Sequence, residues 1–312
     1  MEDKRKALEG DVSMKDIVIC TASRSERELQ QPLVEAFGDR CEVLELPVDF
    51  REAYDRVLAY LHGGVVCLDE GKSLCQNKPK VAFCSFDRPE MLGAAFAFYF
   101  NGVPIAQYHA GDTGVNAQDD YIRDMITMVS TFQFCNSVDS YQRCLRLLFD
   151  FKKPLIRCYE VGSFAMEGVK LDASIVPKER YDLILYNPPL GVSAKVIGEE
   201  LTELVSYINK LVVWICPNED VGRDIVIRRI DNCIFNGLHI TKSETLPRGQ
   251  FLALMRDADR VIGNSSSFFL ELPFFRKDHI HVGIRNRYRK PVEPGVGASE
   301  KIVKVIEEFI RG

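Results

Sequence analysis

Short strands that are apolar on both faces alternate with helices along almost the whole chain. That pattern restricts the fold more than any other feature. It begins at Asp16–Cys20 (strand), Glu26–Phe37 (helix), Cys41–Leu46 (strand) and Phe50–His62 (helix). It continues through the short run Gly64–Leu68 and then Val81–Ser85, Pro89–Phe100, Val103–Tyr108, Asp119–Val129, Phe132–Asn136, Ser137–Phe149 and Leu155–Val161. Two-sided apolar strands separated by helices specify a parallel sheet covered on both faces.

The alternation pauses at Gly162–Arg180, which carries Gly162, Gly168 and Pro177 and has no clear period. It resumes with strands at Asp182–Tyr186, Leu211–Cys216, Cys233–Ile240, Arg260–Ile262 and His279–Val282, and helices at Ala194–Asn209, after Pro217 through Ile230, at Pro247–Arg256 and at Glu300–Arg311. The expected architecture is therefore α/β: two Rossmann-like doubly wound units, residues 1–165 and 166–312, with a cleft between them. Ligands of such sheets bind at the carboxyl ends of the strands. Every polar turn of this chain lies at such an end.

Composition narrows the function classes. A net charge of −5 leaves no basic footprint for nucleic acid. No apolar run reaches membrane-spanning length, and Met1–Lys15 lacks a signal-peptide core. The ten cysteines include no C-x-x-C pair and fall mostly inside apolar strands, as Cys20, Cys84, Cys135 and Cys216 do. They read as reduced core thiols of a cytoplasmic protein, with no metal framework. His279 and His281 share one face of the last strand, but no third ligand stands near them in sequence, so they read as packing.

Two sets of residues carry chemistry. Gly263-Asn264-Ser265-Ser266-Ser267 joins a strand to an apolar helix bearing Glu271. Free helix amides and serine hydroxyls suit a diphosphate, and Glu271 suits ribose hydroxyls. The same residues also suit an ordinary serine-capped helix. The other set is acidic: Asp87, Asp112, and Asp119 with Asp120, accompanied by Arg24, Arg88, His109 and Arg123. Carboxylates facing one cleft can act as acid and base when their surroundings separate their pKa values. Helix capping and solvated loops are the plainer alternatives.

Taken in order, these segments resemble the hydrolysing UDP-N-acetylglucosamine 2-epimerases. The resemblance is carried by Thr21-Ala22-Ser23-Arg24 with Leu29, Pro32 and Leu33, by Phe86–Ala95, and by Pro104–Asp112. It continues in Asp119-Asp120-Tyr121-Ile122-Arg123, Pro217–Gly222 (with Asn218), Gly263–Pro273 and Val282-Gly283-Ile284-Arg285. It implies a glycosyltransferase-B fold and a UDP-sugar substrate. UDP would be eliminated across C1–C2 and water added to give N-acetylmannosamine, in a homo-oligomer, expected as a dimer, without metal or nicotinamide cofactor. Asp87, Asp112 and Asp120 would carry protons, with Asn187 at the position of a family histidine. Arg24, His109, Arg123, Asn218, Asn264, Ser265, Ser266, Ser267, Glu271 and Arg285 would bind substrate. Aspartates at 112 and 120 replace family glutamates, and Phe268 replaces a glycine. Epimerisation needs acids on both sides of C2, so if only one of Asp87, Asp112 and Asp120 faces the cleft, the epimerase reading fails on this acid set. A transferase on the same fold needs one base, and a non-catalytic nucleotide-sugar-binding protein needs none.

Overall fold

The computed structural model describes residues 15–61, 78–114, 117–153, 155–189, 191–217, 221–292, 294 and 297–312. The N-terminal tail, the short run at Gly64–Leu68 and Asn218 lie outside the described residues. The first half contains β1 (Ile17–Thr21), α1 (Arg24–Phe37), β2 (Cys41–Glu45), α2 (Phe50–Leu61), β3 (Val81–Phe83) and α3 (Pro89–Phe100). After these come β4 (Ile105–Tyr108), α4 (Ala117–Val129), β5 (Phe132–Cys135), α5 (Val138–Asp150) and β6 (Cys158–Glu160). The strands form one parallel sheet in the order β2-β1-β3-β4-β5-β6.

The second half contains β7 (Asp182–Leu185), α6 (Ala194–Ser206), β8 (Val212–Ile215), α7 (Arg223–Phe235), β9 (Ile240–Ser243) and α8 (Arg248–Asp257). It ends with β10 (Arg260–Gly263), α9 (Ser267–Leu270), β11 (His279–His281) and α10 (Ala298–Arg311). These strands form a second parallel sheet, β11-β10-β7-β8-β9.

Each sheet is sandwiched because its central strands alternate apolar side chains onto two covered faces. Val18, Cys20, Ala82 and Cys84 pack with α2 and α3 on one face of the first sheet. Ile17, Ile19, Val81, Phe83 and Phe134 pack on the other with Leu33 and Phe37 of α1. The second sheet divides the same way, with Leu183, Leu185 and Val213 on one face and Ile184, Trp214 and Ile262 on the other. The apolar α3 is largely core from Glu90 to Phe98, with Phe96 half-buried, while Pro89 at its start and Tyr99 and Phe100 at its end are exposed.

The expected strand over Cys233–Ile240 is instead the end of a helix. Val226, Ile230 and Cys233 are buried at helical spacing, so α7 continues to Phe235. The strand, β9, is the sheet's polar edge, Ile-Thr-Lys-Ser. The helix expected after the triple serine is one turn long and passes into a 3-10 turn at Leu272–Phe275, where Pro273 interrupts the α-helical bonding.

The chain finally returns to its own beginning. Ala298, Ile302 and Ile306 of α10 pack into the first sheet's core beside Leu33 and Phe37. Arg40 Nη1 donates to Glu307 Oε1 at 2.8 Å. The Glu167 carboxylate, from the connecting segment, accepts the amide of Ala298 at 2.6 Å and so caps α10. The start of that segment is packed as well, with Phe164 buried and stacked on Tyr108 at 4.0 Å between ring centroids.

Candidate active site

The carboxyl ends of both sheets face a cleft of about 790 Å³. Residues after β3, β4 and at the start of α4 form one wall. Residues after β7 and β10 form the other.

The first wall depends on two sharp exits from strands. Phe86, after β3, and His109, after β4, have φ of 73° and 68°, in the left-handed region that non-glycine residues seldom occupy. These turns deliver Asp87 and His109 to the cleft. Gly111, at φ 72°, lets the same loop lie against α5, where an added Cβ would sit 2.1 Å from the Ser140 carbonyl oxygen.

Arg123, on α4, organises the acids. It is fully buried, and its Nη1 donates to the Asp120 carboxylate at 2.9 Å and to the Asp112 carbonyl at 2.8 Å, while Nη2 pairs with Asp87. Asp120 is further held by the Thr113 hydroxyl at 2.8 Å and the Gly114 amide at 2.9 Å. Asp112 pairs with Arg289 of the second half and accepts the Thr113 amide at 2.9 Å. Burial alone would raise the Asp112 carboxyl, but Arg289, His109 and Arg123 overcome it and hold the group far below the usual carboxylate range.

The wall therefore differs from the sequence expectation in which acids it presents. Of Asp87, Asp112 and Asp120, only Asp87 lines the cleft; its side chain is 29% exposed, against 8% for Asp112 and 14% for Asp120. Asp112 and Asp120 sit one layer behind, because the buried guanidiniums of Arg123 and Arg289 draw them inward. Asp119, beside Asp120 on α4, takes the second cleft position. Burial, with the neighbouring Asp87 charge, pushes its carboxyl up to about 6 against the partial opposition of Arg285 and Arg123.

His109 is neutral at physiological pH, because burial lowers its pKa more than Asp112 raises it. The Ser140 hydroxyl donates to the Asn136 side-chain oxygen at 3.0 Å, so the Asn136 amide nitrogen is the donor to His109 Nδ1 at 2.7 Å. The same Nδ1 stands 3.5 Å from the Asp112 carboxylate, which can only accept, so its two neighbours favour opposite tautomers.

The second wall carries few charges. Gly263, at φ 136°, ends β10 where an added Cβ would meet the Leu185 carbonyl oxygen at 2.1 Å. Ser265, Ser266 and Ser267 follow and line the cleft with Asn187 and Arg285. Arg285 Nη1 donates to the Pro188 carbonyl at 3.0 Å. Glu271 is buried; one carboxylate oxygen accepts from Arg248 at 3.1 Å, and the other has no hydrogen-bond partner in the described structure.

Asn264 has a different place from the one expected. It is wholly buried, and its amide bonds both backbone groups of Asn187, accepting at 2.8 Å and donating at 2.9 Å. Those two bonds staple the ends of β7 and β10 together, and the side chain does not line the cleft. Arg24 opens α1, but its side chain, like Asn218, lies outside the described structure. Sequence reasoning passed over Glu26 and Arg248, both cleft-lining. Burial pushes the Glu26 carboxyl up to about 7, although it accepts the Ala22 amide at 2.8 Å. Its signal was weak, since a glutamate in the first turn of a helix is common.

The family model for UDP-N-acetylglucosamine 2-epimerase matches residues 6–310. A UDP-N,N'-diacetylbacillosamine 2-epimerase (hydrolyzing) of Legionella pneumophila is 26% identical over 259 residues, covering 78% of this chain and 67% of the relative. A GDP/UDP-N,N'-diacetylbacillosamine 2-epimerase (hydrolyzing) of Campylobacter jejuni is 28% identical over 229 residues, covering 68% and 58%. The Escherichia coli polysialic acid biosynthesis protein P7 is 25% identical over 250 residues, and the match spans 61% of its length. The matched part thus spans about two thirds or less of each of these relatives.

Among solved structures, a co-structure of S. aureus MnaA with UDP superposes with a TM-score of 0.71 at 14% identity, covering 96% of this chain and 97% of that one. UDP-GlcNAc 2-epimerase from Neisseria meningitidis, bound to UDP-GlcNAc, gives 0.68 at 14% identity, covering 94% and 99%. At such identities the likeness establishes the fold: two doubly wound units of glycosyltransferase-B type.

Proposed function

The chain belongs to the UDP-N-acetylglucosamine 2-epimerase family, and we propose that it eliminates UDP from a UDP-N-acetylhexosamine and hydrates the product to the free 2-epimer. One observation carries the reading. A single cleft places two carboxylates, Asp87 and Asp119, opposite a wall of serine hydroxyls, Arg285 and a buried Glu271 oxygen without a partner.

Under this proposal the nucleotide lies on the second wall. The unpartnered Glu271 oxygen accepts from a ribose hydroxyl, which relieves the cost of leaving a buried acceptor unsatisfied. Arg285 and the Ser265–Ser267 turn meet the diphosphate, and UDP leaves with its growing charge stabilised by the guanidinium.

The sugar ring faces Asp87, Asp119 and His109. Asp119, ionised above pH 6 yet more basic than an ordinary aspartate, takes the C2 proton. The C2–H electron pair forms the C1=C2 double bond as the C1–O bond to UDP breaks. Water then adds across the double bond: Asp87 takes a proton from the attacking water as the water oxygen bonds C1 and passes that proton to C2 on the face opposite Asp119, so that Asp87 ends as it began, while Asp119 releases the first proton to solvent. Asp112 and Asp120 position this pair through Arg123 and Arg289. Asn187 lines the phosphate end, where its amide can donate a hydrogen bond but carries no proton at neutral pH.

The test is UDP release, followed enzymatically, from UDP-N-acetylglucosamine and from UDP-N,N'-diacetylbacillosamine, the sugar named for two relatives. UDP binding is measured calorimetrically in parallel. Release from either substrate supports the proposal. UDP binding without release from any UDP-N-acetylhexosamine would leave a nucleotide-sugar-binding protein.

A further inference from the structure

Three cysteines far apart in sequence converge away from the cleft. Cys135 ends β5, Cys144 lies on α5 and Cys158 opens β6; their sulfurs all fall within 4.8 Å of one another. Cys135 and Cys144 are buried, and Cys158 is partly exposed at the rim. The topology explains the meeting. In the parallel pairing of β5 with β6, Cys158 sits opposite Gln133. Cys135, two residues further along β5, therefore points to the same face as Cys158. The helix packed on that face supplies Cys144.

From this geometry we propose that Cys135, Cys144 and Cys158 form a trithiolate site for a thiophilic d10 cation, Zn(II) with water as fourth ligand or Cu(I) with none. The spacing supports a metal over a disulfide. The Cys135 and Cys158 sulfurs are 3.7 Å apart. Two thiolates on a tetrahedral ion, each at about 2.3 Å, are about 3.8 Å apart. A Cys135–Cys158 disulfide is disfavoured by register. An offset of two residues, at about 3.3 Å each, combined with a strand separation of about 4.8 Å, puts the Cα atoms about 8 Å apart. Disulfides require less than about 7 Å.

The chemistry of the donors agrees. Thiolate sulfur is the soft donor that such cations select, and each of the three thiols gives up its proton as the ion binds. Among the described residues no other group of three His, Cys, Asp or Glu side chains is so arranged.

The site would also brace the cleft's first wall. Asn136, the partner of His109, follows Cys135 directly. An added Cβ on Gly111, in the loop between His109 and Asp112, would sit 2.8 Å from the Cys144 Cβ. An ion joining β5, β6 and α5 holds both supports in place.

The experiment uses the full chain carrying C67S and C75S, which removes the two cysteines outside the described residues. It is purified reduced and metal-free, then titrated anaerobically with Zn(II), Cu(I) or Cd(II), the last as a spectroscopic probe. Saturation at one equivalent is expected, with thiolate-to-cadmium charge-transfer absorption in the ultraviolet and a rise in Tm. C144S and C158S should each reduce the affinity at least tenfold and remove part of the absorption, while C233S leaves both unchanged. The zinc and copper arms identify the ion. Absence of one-equivalent binding, or binding that survives both C144S and C158S in variants whose circular dichroism shows them folded, overturns the site.

Discussion

The two walls of the cleft solve opposite problems. On the first, three of the four aspartates already have a cationic partner: Arg123 holds Asp87 and Asp120, and Arg289 holds Asp112, which leaves Asp119 for the substrate. On the second, the groups are hydroxyls, amides, the Arg285 guanidinium and a carboxylate with one oxygen left over. A wall that must shift protons needs its charges fixed and tuned before substrate arrives. A wall that must bind leaves acceptors for the ligand to complete. The contrast also gives each wall a distinct failure: loss of rate on one, loss of affinity on the other.

The sharpest way to break this contrast is Asp119→Asn. Removing the cleft base should lower kcat by about 10²–10⁴-fold while leaving the Kd for UDP within about twofold. Asp112→Asn and Asp120→Asn, compared in the same kinetic series, should lower kcat less, because those groups position rather than touch. A larger loss at Asp112 or Asp120 than at Asp119 would reverse the two layers. The pH profile is a companion test: kcat/KM should fall as pH drops through about 6, where Asp119 takes up its proton.

Arg123→Met tests whether the first wall is held by its own charges. It leaves the Asp87 and Asp120 carboxylates without their buried partner, and loss of one side of a buried ion network costs about 3–5 kcal/mol. Urea denaturation should show a destabilisation of that size. A change below about 1 kcal/mol would mean water screens the network.

Glu26→Gln has a smaller and pH-dependent effect. The folded-state pKa is raised to about 7 from an ordinary value of 4.5. Between those values the folded protein keeps a proton that the unfolded chain has released. This group therefore penalises folding increasingly as pH rises from 4.5 to 7, by on the order of 3 kcal/mol in full. Glutamine can still accept from the Ala22 amide, so the variant should gain stability over wild type at pH 8 and gain little at pH 4.5. Thermal melts across that range would show the widening gap.

On the second wall, Glu271→Gln should weaken UDP binding by about 1–2 kcal/mol, roughly tenfold, and leave kcat close to wild type. A calorimetric Kd with a matched kcat measurement separates the two. An effect on kcat alone would move Glu271 from binding to chemistry.

How much of this was legible in the sequence follows the same division. Much of the second wall is contiguous: Gly263 to Glu271 runs in one stretch, so a strand, a turn and a carboxylate could be recognised together. The two sheets were equally readable, because buried parallel strands write themselves as short apolar runs. The first wall was readable only as a set of candidates. Which acids face the cleft depends on Arg289, contributed from the far end of the chain, and on which side of α4 Arg123 occupies. Asp119 and Asp120 are adjacent in sequence, and their helical directions send one to the cleft and the other to Arg123. Asn264 misled for a related reason. Its motif is that of a ligand-binding turn, but its amide is consumed by the backbone of Asn187, which sequence spacing cannot reveal. The packing of α10 into the first core, and the meeting of three cysteines on β5, α5 and β6, likewise arise from tertiary contacts alone.

The most direct single measurement is proton NMR of the reaction with a UDP-N-acetylhexosamine in heavy water. Elimination and hydration through this cleft should give free UDP and a free 2-epimer carrying deuterium at C2, with both signals lost in Asp119→Asn. UDP release with the C2 proton retained would contradict elimination and point to simple hydrolysis of the C1–O bond.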